Sequence, residues 1–219
     1  MSNFDKTDGQ FHEFTSPLNE GDFFALPVES SVPEGVTPII DESTGLCIGY
    51  LYGMNGVYHI YDINGHYQTV YEMPLESPLF DPLDLLLIGG VVAKLCGRTS
   101  LLMRGGATRA VSSGGVKLSM QIVSSLKSRL TLSSVATKMK YSPQATRAMS
   151  DRSRYVPDYI LSKVIRNGRQ TEVLIAASGE QFNKYSMTIK KYRYGGQLMD
   201  VYLNVIVDAD KKIITEFNY

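Results

Sequence analysis

From Cys47 the chain alternates. In CIGYLYGMNGVYHIYDINGHYQTVYEM, runs rich in tyrosine and β-branched residues are separated by Asn55-Gly56 and Asn64-Gly65. Asn-Gly supplies the positive φ angles of tight hairpin turns, so the pattern predicts a three-stranded meander over Cys47–Gly53, Val57–Ile63 and Tyr67–Met73. Near the C-terminus a helical period comes first. Pro157 suits a first turn, Ile160, Leu161, Val164 and Ile165 form an apolar stripe, Lys163 and Arg166 favour the C-terminal end, and Gly168 is a stop. Four apolar or alternating runs follow, TEVLIAA, FNKYSMTIKKYRY, LMDVYLNVIVDAD and KIITEFNY, separated by SGE, GGQ and ADK. Strands joined by such short turns form an antiparallel meander. The expected fold class is therefore α+β, with a C-terminal domain of one helix packed on a four-stranded antiparallel meander.

The remaining stretches carry weaker patterns. Residues 1–45 mix Pro, Gly, Ser and acids (SPLNEGDFFALPVESSVPEGVTP) and read as an extended acidic arm. Residues 46–75 hold the small β-meander, and residues 76–140 read as a Gly-rich and amphipathic helical region. Within that region the apolar stretch Leu83–Met103 is broken by Asp84, Lys94 and paired glycines, which argues for a buried helix over a membrane span. Val116, Met120, Val123, Leu126 and Leu130 form one stripe of a basic helix, with Lys117, Lys127 and Arg129 off it. From Thr131 to Ser153 the polarity and the YSP turn suggest a connector, and the last domain is placed at residues 141–219.

Charge changes this picture. The formal net charge is zero, yet three cations face fourteen acids in the first hundred residues, and nineteen cations face eight acids in the rest. Such asymmetry points to a basic module with an anionic partner, nucleic acid first among candidates. Cys47 and Cys96 share no metal-ligand or CxxC spacing and suggest free thiols. The N-terminal sequence MSNFDKTDGQFHEF lacks the basic start and apolar run of a secretory signal.

Strand alternation then sorts the chemistry of SMTIKKYRYGG. Tyr185, Met187 and Ile189, with Val201, Leu203, Val205 and Val207 on the next strand, face the helix stripe. Lys184, Ser186, Thr188, Lys190 and Tyr192 take the other face, together with Tyr202 and Asn204. Cations contact phosphate and rings stack on unpaired bases, so a helix-free face of this composition suits RNA. An edge strand guarded by lysines is the plainer alternative. The three histidines, His12, His59 and His66, all lie in the acidic half, and the basic half has no carboxylate cluster suggesting a metal site. The chemistry these residues allow is attack of an RNA 2′-OH on the adjacent phosphate, giving a 2′,3′-cyclic product without metal or other cofactor. Lys190 would stabilise the phosphorane or act as base, Thr188 and Tyr192 would orient the reacting groups, and Arg154 would reach a phosphate. Arg152, Lys184, Ser186, Arg193, Tyr202 and Asn204 complete the expected RNA contacts. Asp208 and Asp210 are turn formers.

The order of a basic segment, the short helix YVPDYILSKVIRNGR and a meander ending in VYLNVIVDADKKIITEFNY resembles the C-terminal toxin domains of bacterial polymorphic toxins, including contact-dependent inhibition and type VI-associated effectors. More narrowly it is similar to the barnase-like ribonuclease fold of tRNA-cleaving colicins, over about residues 147–219. The upstream GYLYGMNGVYHIYDINGHYQTVYEMPLESPLFDP looks like a segment that precedes such domains. The resemblance implies an endoribonuclease toxin acting on RNA, tRNA above all, in a target-cell cytoplasm after delivery without an N-terminal signal peptide. It also implies an acidic cognate immunity protein, room for a host activating factor, and no stable membrane insertion. Two alternatives stand beside it: a non-catalytic RNA- or protein-binding module, and a membrane-active toxin using the Gly-rich segment.

Overall fold

The computed structural model describes residues 9–28, 32–72, 110–112, 118, 120–134, 139–193, 196–210 and 213–219. Its contacts divide the chain into two compact units, one of Met1–Phe24 with Thr131–Tyr219 and one of Ala25–Leu130. The Gly-rich segment and Leu83–Met103 lie outside the described residues.

In the second unit the expected meander forms as β3 (Leu46–Met54), β4 (Val57–Asp62) and β5 (Tyr67–Glu72), all antiparallel. Asn55 and Gly56 take φ values of 57° and 84°, the mirror-image turn that matches strand twist. β2 (Thr37–Asp41) pairs with β3 and with β6 (Ala110–Ser112). The basic helix α1 (Met120–Ser134) buries Val123 and Leu126, while Lys127 reaches Asp41 at 2.9 Å. Cys47 is a free, buried thiol, and burial pushes its pKa up to about 11.

The other unit holds the C-terminal strands. β8 (Arg169–Ile175), β9 (Gln181–Tyr192), β10 (Leu198–Asp208) and β11 (Ile213–Asn218) form an antiparallel run. Three further pieces enlarge it. β7 (Lys140–Tyr141) pairs in parallel with β11, and β1 (Phe23–Ala25), which begins in this unit, lies beside β9. The segment read as a connector instead forms α2 (Pro143–Ser150): Ser142 accepts the Ala145 N–H at 3.1 Å, and Pro143 fits the first turn. The Ser142 hydroxyl also donates to the Thr215 carbonyl at 2.7 Å, tying α2 to β11. The expected helix is α3 (Asp158–Asn167), burying Ile160, Leu161, Val164 and Ile165.

The expected fold class is thus corrected. The protein is mostly β, with a mixed sheet and three helices among the described residues, and not one helix on a four-stranded antiparallel meander. The local elements were predictable from periodicity, but strands added from distant segments, one of them parallel, change the architecture.

The arm ties itself into this unit. Gln10 and Tyr141 exchange backbone hydrogen bonds at 3.2 and 2.9 Å, Phe14 sets an edge-on ring against Tyr141, and the Tyr141 hydroxyl donates to Asp158 at 2.5 Å. Burial raises the pKa of Tyr141 and also that of Asp158.

Gly168 ends α3 by close approach. A Cβ there would collide with the Val164 carbonyl oxygen and stand 3.0 Å from that of Ser186. Gly168→Ala is expected to cost about 1–3 kcal/mol through forced backbone movement, readable as a lower urea midpoint at unchanged slope. An unchanged midpoint would show that the turn relaxes freely.

Candidate functional site

The β9–β10 register places Tyr192, Lys190, Thr188, Ser186 and Lys184 opposite Leu198, Asp200, Tyr202, Asn204 and Ile206 on one face. The other face carries Ile189, Leu203 and Val205, all fully buried, and it is the one that α3 covers. Side-chain alternation separates the two chemistries.

On the open face the polar row is a connected network. The Ser186 hydroxyl donates to Asn204 at 2.7 Å and lies 3.2 Å from the Thr171 hydroxyl, and Asn204 donates to Asn218 at 3.2 Å. Ser186 is buried, so it and Asn204 act as a hydrogen-bonded floor. Thr188 stands exposed above that floor, across from Tyr202, whose ring is 55% exposed. Lys184 approaches Glu172 at 3.5 Å, and Lys190 donates to Asp200 at 2.6 Å. Asp200 is the residue that sequence reasoning missed. Its signal lay in LMDVYLN, where alternation puts Asp200 on the same face as Tyr202 and Asn204.

Lys191 has a different setting, on the helix-covered face. It is 4% exposed, its ammonium lies 4.2 Å from the Tyr219 ring centroid and 5.0 Å from that of Phe24, and it donates to the Tyr219 hydroxyl at 2.5 Å. That hydroxyl donates onward to the Ser153 carbonyl at 2.6 Å. Burial, with Arg193 nearby, lowers the Lys191 pKa, and Asp22 acts against this. Burial raises that of Tyr219.

Several candidate residues belong to this corner and not to the Lys190 row. Arg152 and Arg154 are exposed on either side of Ser153, and Arg193 follows the end of β9. Arg152 donates to the Pro17 carbonyl at 3.1 Å, while Tyr192 stacks on Phe23 with centroids 4.9 Å apart. Asp208 accepts the Ile213 N–H at 2.9 Å across the β10–β11 turn, a turn-forming contact.

Among the described residues no group of three His, Cys, Asp or Glu side chains could hold a metal ion, and no helix is long and apolar enough to cross a membrane. No family model, curated protein or solved structure matches this chain.

Proposed function

We propose that the C-terminal unit binds single-stranded RNA on the open face of β9 and β10 and cleaves it. The observation that carries this reading is the exposed Tyr202–Thr188 pair, set between Lys184 and Lys190 on a face that α3 leaves uncovered. Tyr202 offers a stacking surface. The two lysines offer phosphate contacts, since exposed ion pairs contribute little and exchange readily for another anion.

The Lys190–Asp200 pair gives the cleavage step its two parts. Asp200 accepts the 2′-OH proton as the 2′ oxygen bonds to phosphorus, and Lys190 stabilises charge on the phosphorane. The bond from phosphorus to the 5′ oxygen then breaks, and the leaving oxygen takes a proton from water or a neighbouring hydroxyl. The products are a 2′,3′-cyclic phosphate and a free 5′-hydroxyl. The toxin resemblance extends this reading to an antagonistic effector acting on tRNA, with a small acidic immunity protein masking the cations and a host factor as a further partner.

The test is binding and cleavage of a labelled single-stranded RNA by the full chain. Tyr202→Ala should weaken binding by about 1–3 kcal/mol. Asp200→Asn should leave binding intact and slow cleavage by about 10²–10⁴-fold. Binding that is indifferent to salt and to Tyr202 would end the RNA reading. Binding without any cyclic-phosphate product would favour a non-catalytic module.

A further inference from the structure

The N-terminal arm does not hang free of the C-terminal unit. Between Pro17 and Phe24 it meets one corner of that unit four times, each time through a different interaction. The Pro17 carbonyl takes the Arg152 guanidinium, Asp22 lies close enough to act on the charge of Lys191, the Phe23 ring stacks on Tyr192, and the Phe24 ring lies under the Lys191 ammonium and edge-on to Tyr219 at 5.7 Å. The arm thus presents a carbonyl, a carboxylate and two rings to cations and tyrosines. Those are the groups that a nucleotide chain presents in the form of phosphates and bases.

The residues beneath have two unusual properties together. Lys191 is a buried cation that, among the described residues, has no carboxylate in hydrogen-bond contact and is satisfied by a phenol and two ring faces. Around it stand Arg193, Arg152 and Arg154, all exposed. A cation hydrogen-bonded to a neutral partner inside a basic corner has unused capacity for an anion.

We infer that the Arg152–Lys191–Tyr192–Arg193 corner is a second phosphate-binding site for RNA, closed in this structure by the chain's own N-terminal arm. It rests on the RNA reading above and adds a cis-acting cover to it. Displacement of residues 17–24 by a competing strand, or their removal by proteolysis, exposes Lys191, frees Arg152 and Tyr192, and extends the bound RNA around the end of β9.

The experiment uses full-length protein in three forms: unaltered, Asp22→Lys, and Phe23→Ser. Asp22→Lys repels the corner without removing a core side chain, so it keeps the test meaningful where Phe23→Ser fails to fold. Two quantities are read: acylation of Lys191 by an amine-reactive ester, located by mass spectrometry, and affinity for a labelled single-stranded RNA as a function of salt. Both variants should label Lys191 several-fold faster and bind RNA more tightly. The slope of log K against log salt should steepen by about two or three, near one per added phosphate contact. Adding a synthetic peptide of residues 9–28 should reverse both changes. Unchanged labelling overturns the cover, and faster labelling with unchanged RNA affinity shows a structural strap with no second site. Loss of the RNA reading itself has a separate signature, because Tyr202→Ala then leaves binding unchanged in the unaltered protein.

Discussion

Residues 139–219 expressed alone should fail to reach a cooperative native fold, and a peptide of residues 9–28 added in trans should restore it. The sequence suggests otherwise, since a fragment beginning near Tyr141 contains a helix and four strands that look able to close their own core. The structure, however, shows Phe23 and Phe24 buried, with β1 beside β9 and Gln10 bridged to Tyr141. Each buried phenylalanine contributes about 1.5–3 kcal/mol of transfer free energy, against the roughly 5–15 kcal/mol of a typical whole domain. Losing two of them, a strand and the backbone partner of Tyr141 removes a decisive share. Thermal unfolding followed by circular dichroism, with and without peptide, checks this. A sharp transition near that of the intact chain without peptide would show the arm to be dispensable.

Lys191→Ala should destabilise the intact protein by about 2–4 kcal/mol, while Lys190→Ala should cost less than about 1 kcal/mol. The two lysines are neighbours in sequence and opposites in setting. The Lys191 stem fills space between Phe24 and Tyr219, and its ammonium is the donor that the Tyr219 hydroxyl receives. Lys190 is a half-exposed ion-pair partner of Asp200. Lys191→Met, which keeps the stem, should recover most of the loss. Its pH profile carries a second signature. Because burial lowers the Lys191 pKa, the folded state sheds that proton at lower pH than the unfolded chain does, and stability rises with pH over the window below the ordinary value of 10.5. Lys191→Met lacks that rise. Tyr219, whose pKa is raised, acts in the opposite sense above its ordinary value of 10.0. Urea denaturation of the three variants across pH decides the matter, and equal losses for Lys190→Ala and Lys191→Ala would contradict the assignment.

What could be read in the sequence was what neighbouring residues decide. The hairpin of β3 and β4 follows from Asn55-Gly56, and α3 from the stripe of Ile160, Leu161, Val164 and Ile165. The period of two in β9 already placed Lys190 and Lys191 on different faces. The same period held a hint left unused: a lysine in phase with Tyr185, Met187 and Ile189 must be buried or paired. β1, β7 and α2 left no comparable trace. FFA and KY are too short for a period, and SPQATRAMS is a polar helix whose signal is one cap and one proline. The pairings β1–β9 and β7–β11 join segments far apart along the chain. They are decided by which strand edges are free, a property of the assembled sheet.

That arrangement also sets an order of events. The arm leaves the ribosome well before the groups it must meet, Tyr141, Arg152, Lys191, Tyr192 and Tyr219, all of which lie far downstream of it. Contacts this distant cost loop-closure entropy before they return any stability, so closure of the C-terminal unit is a late and slow step. Until it happens, Phe23 and Phe24 have no cover and the edge of β9 lacks its β1 neighbour. A nascent or threaded chain therefore passes through a stage in which its cationic corner is open, and the molecule reaches its covered form only once arm and corner have met.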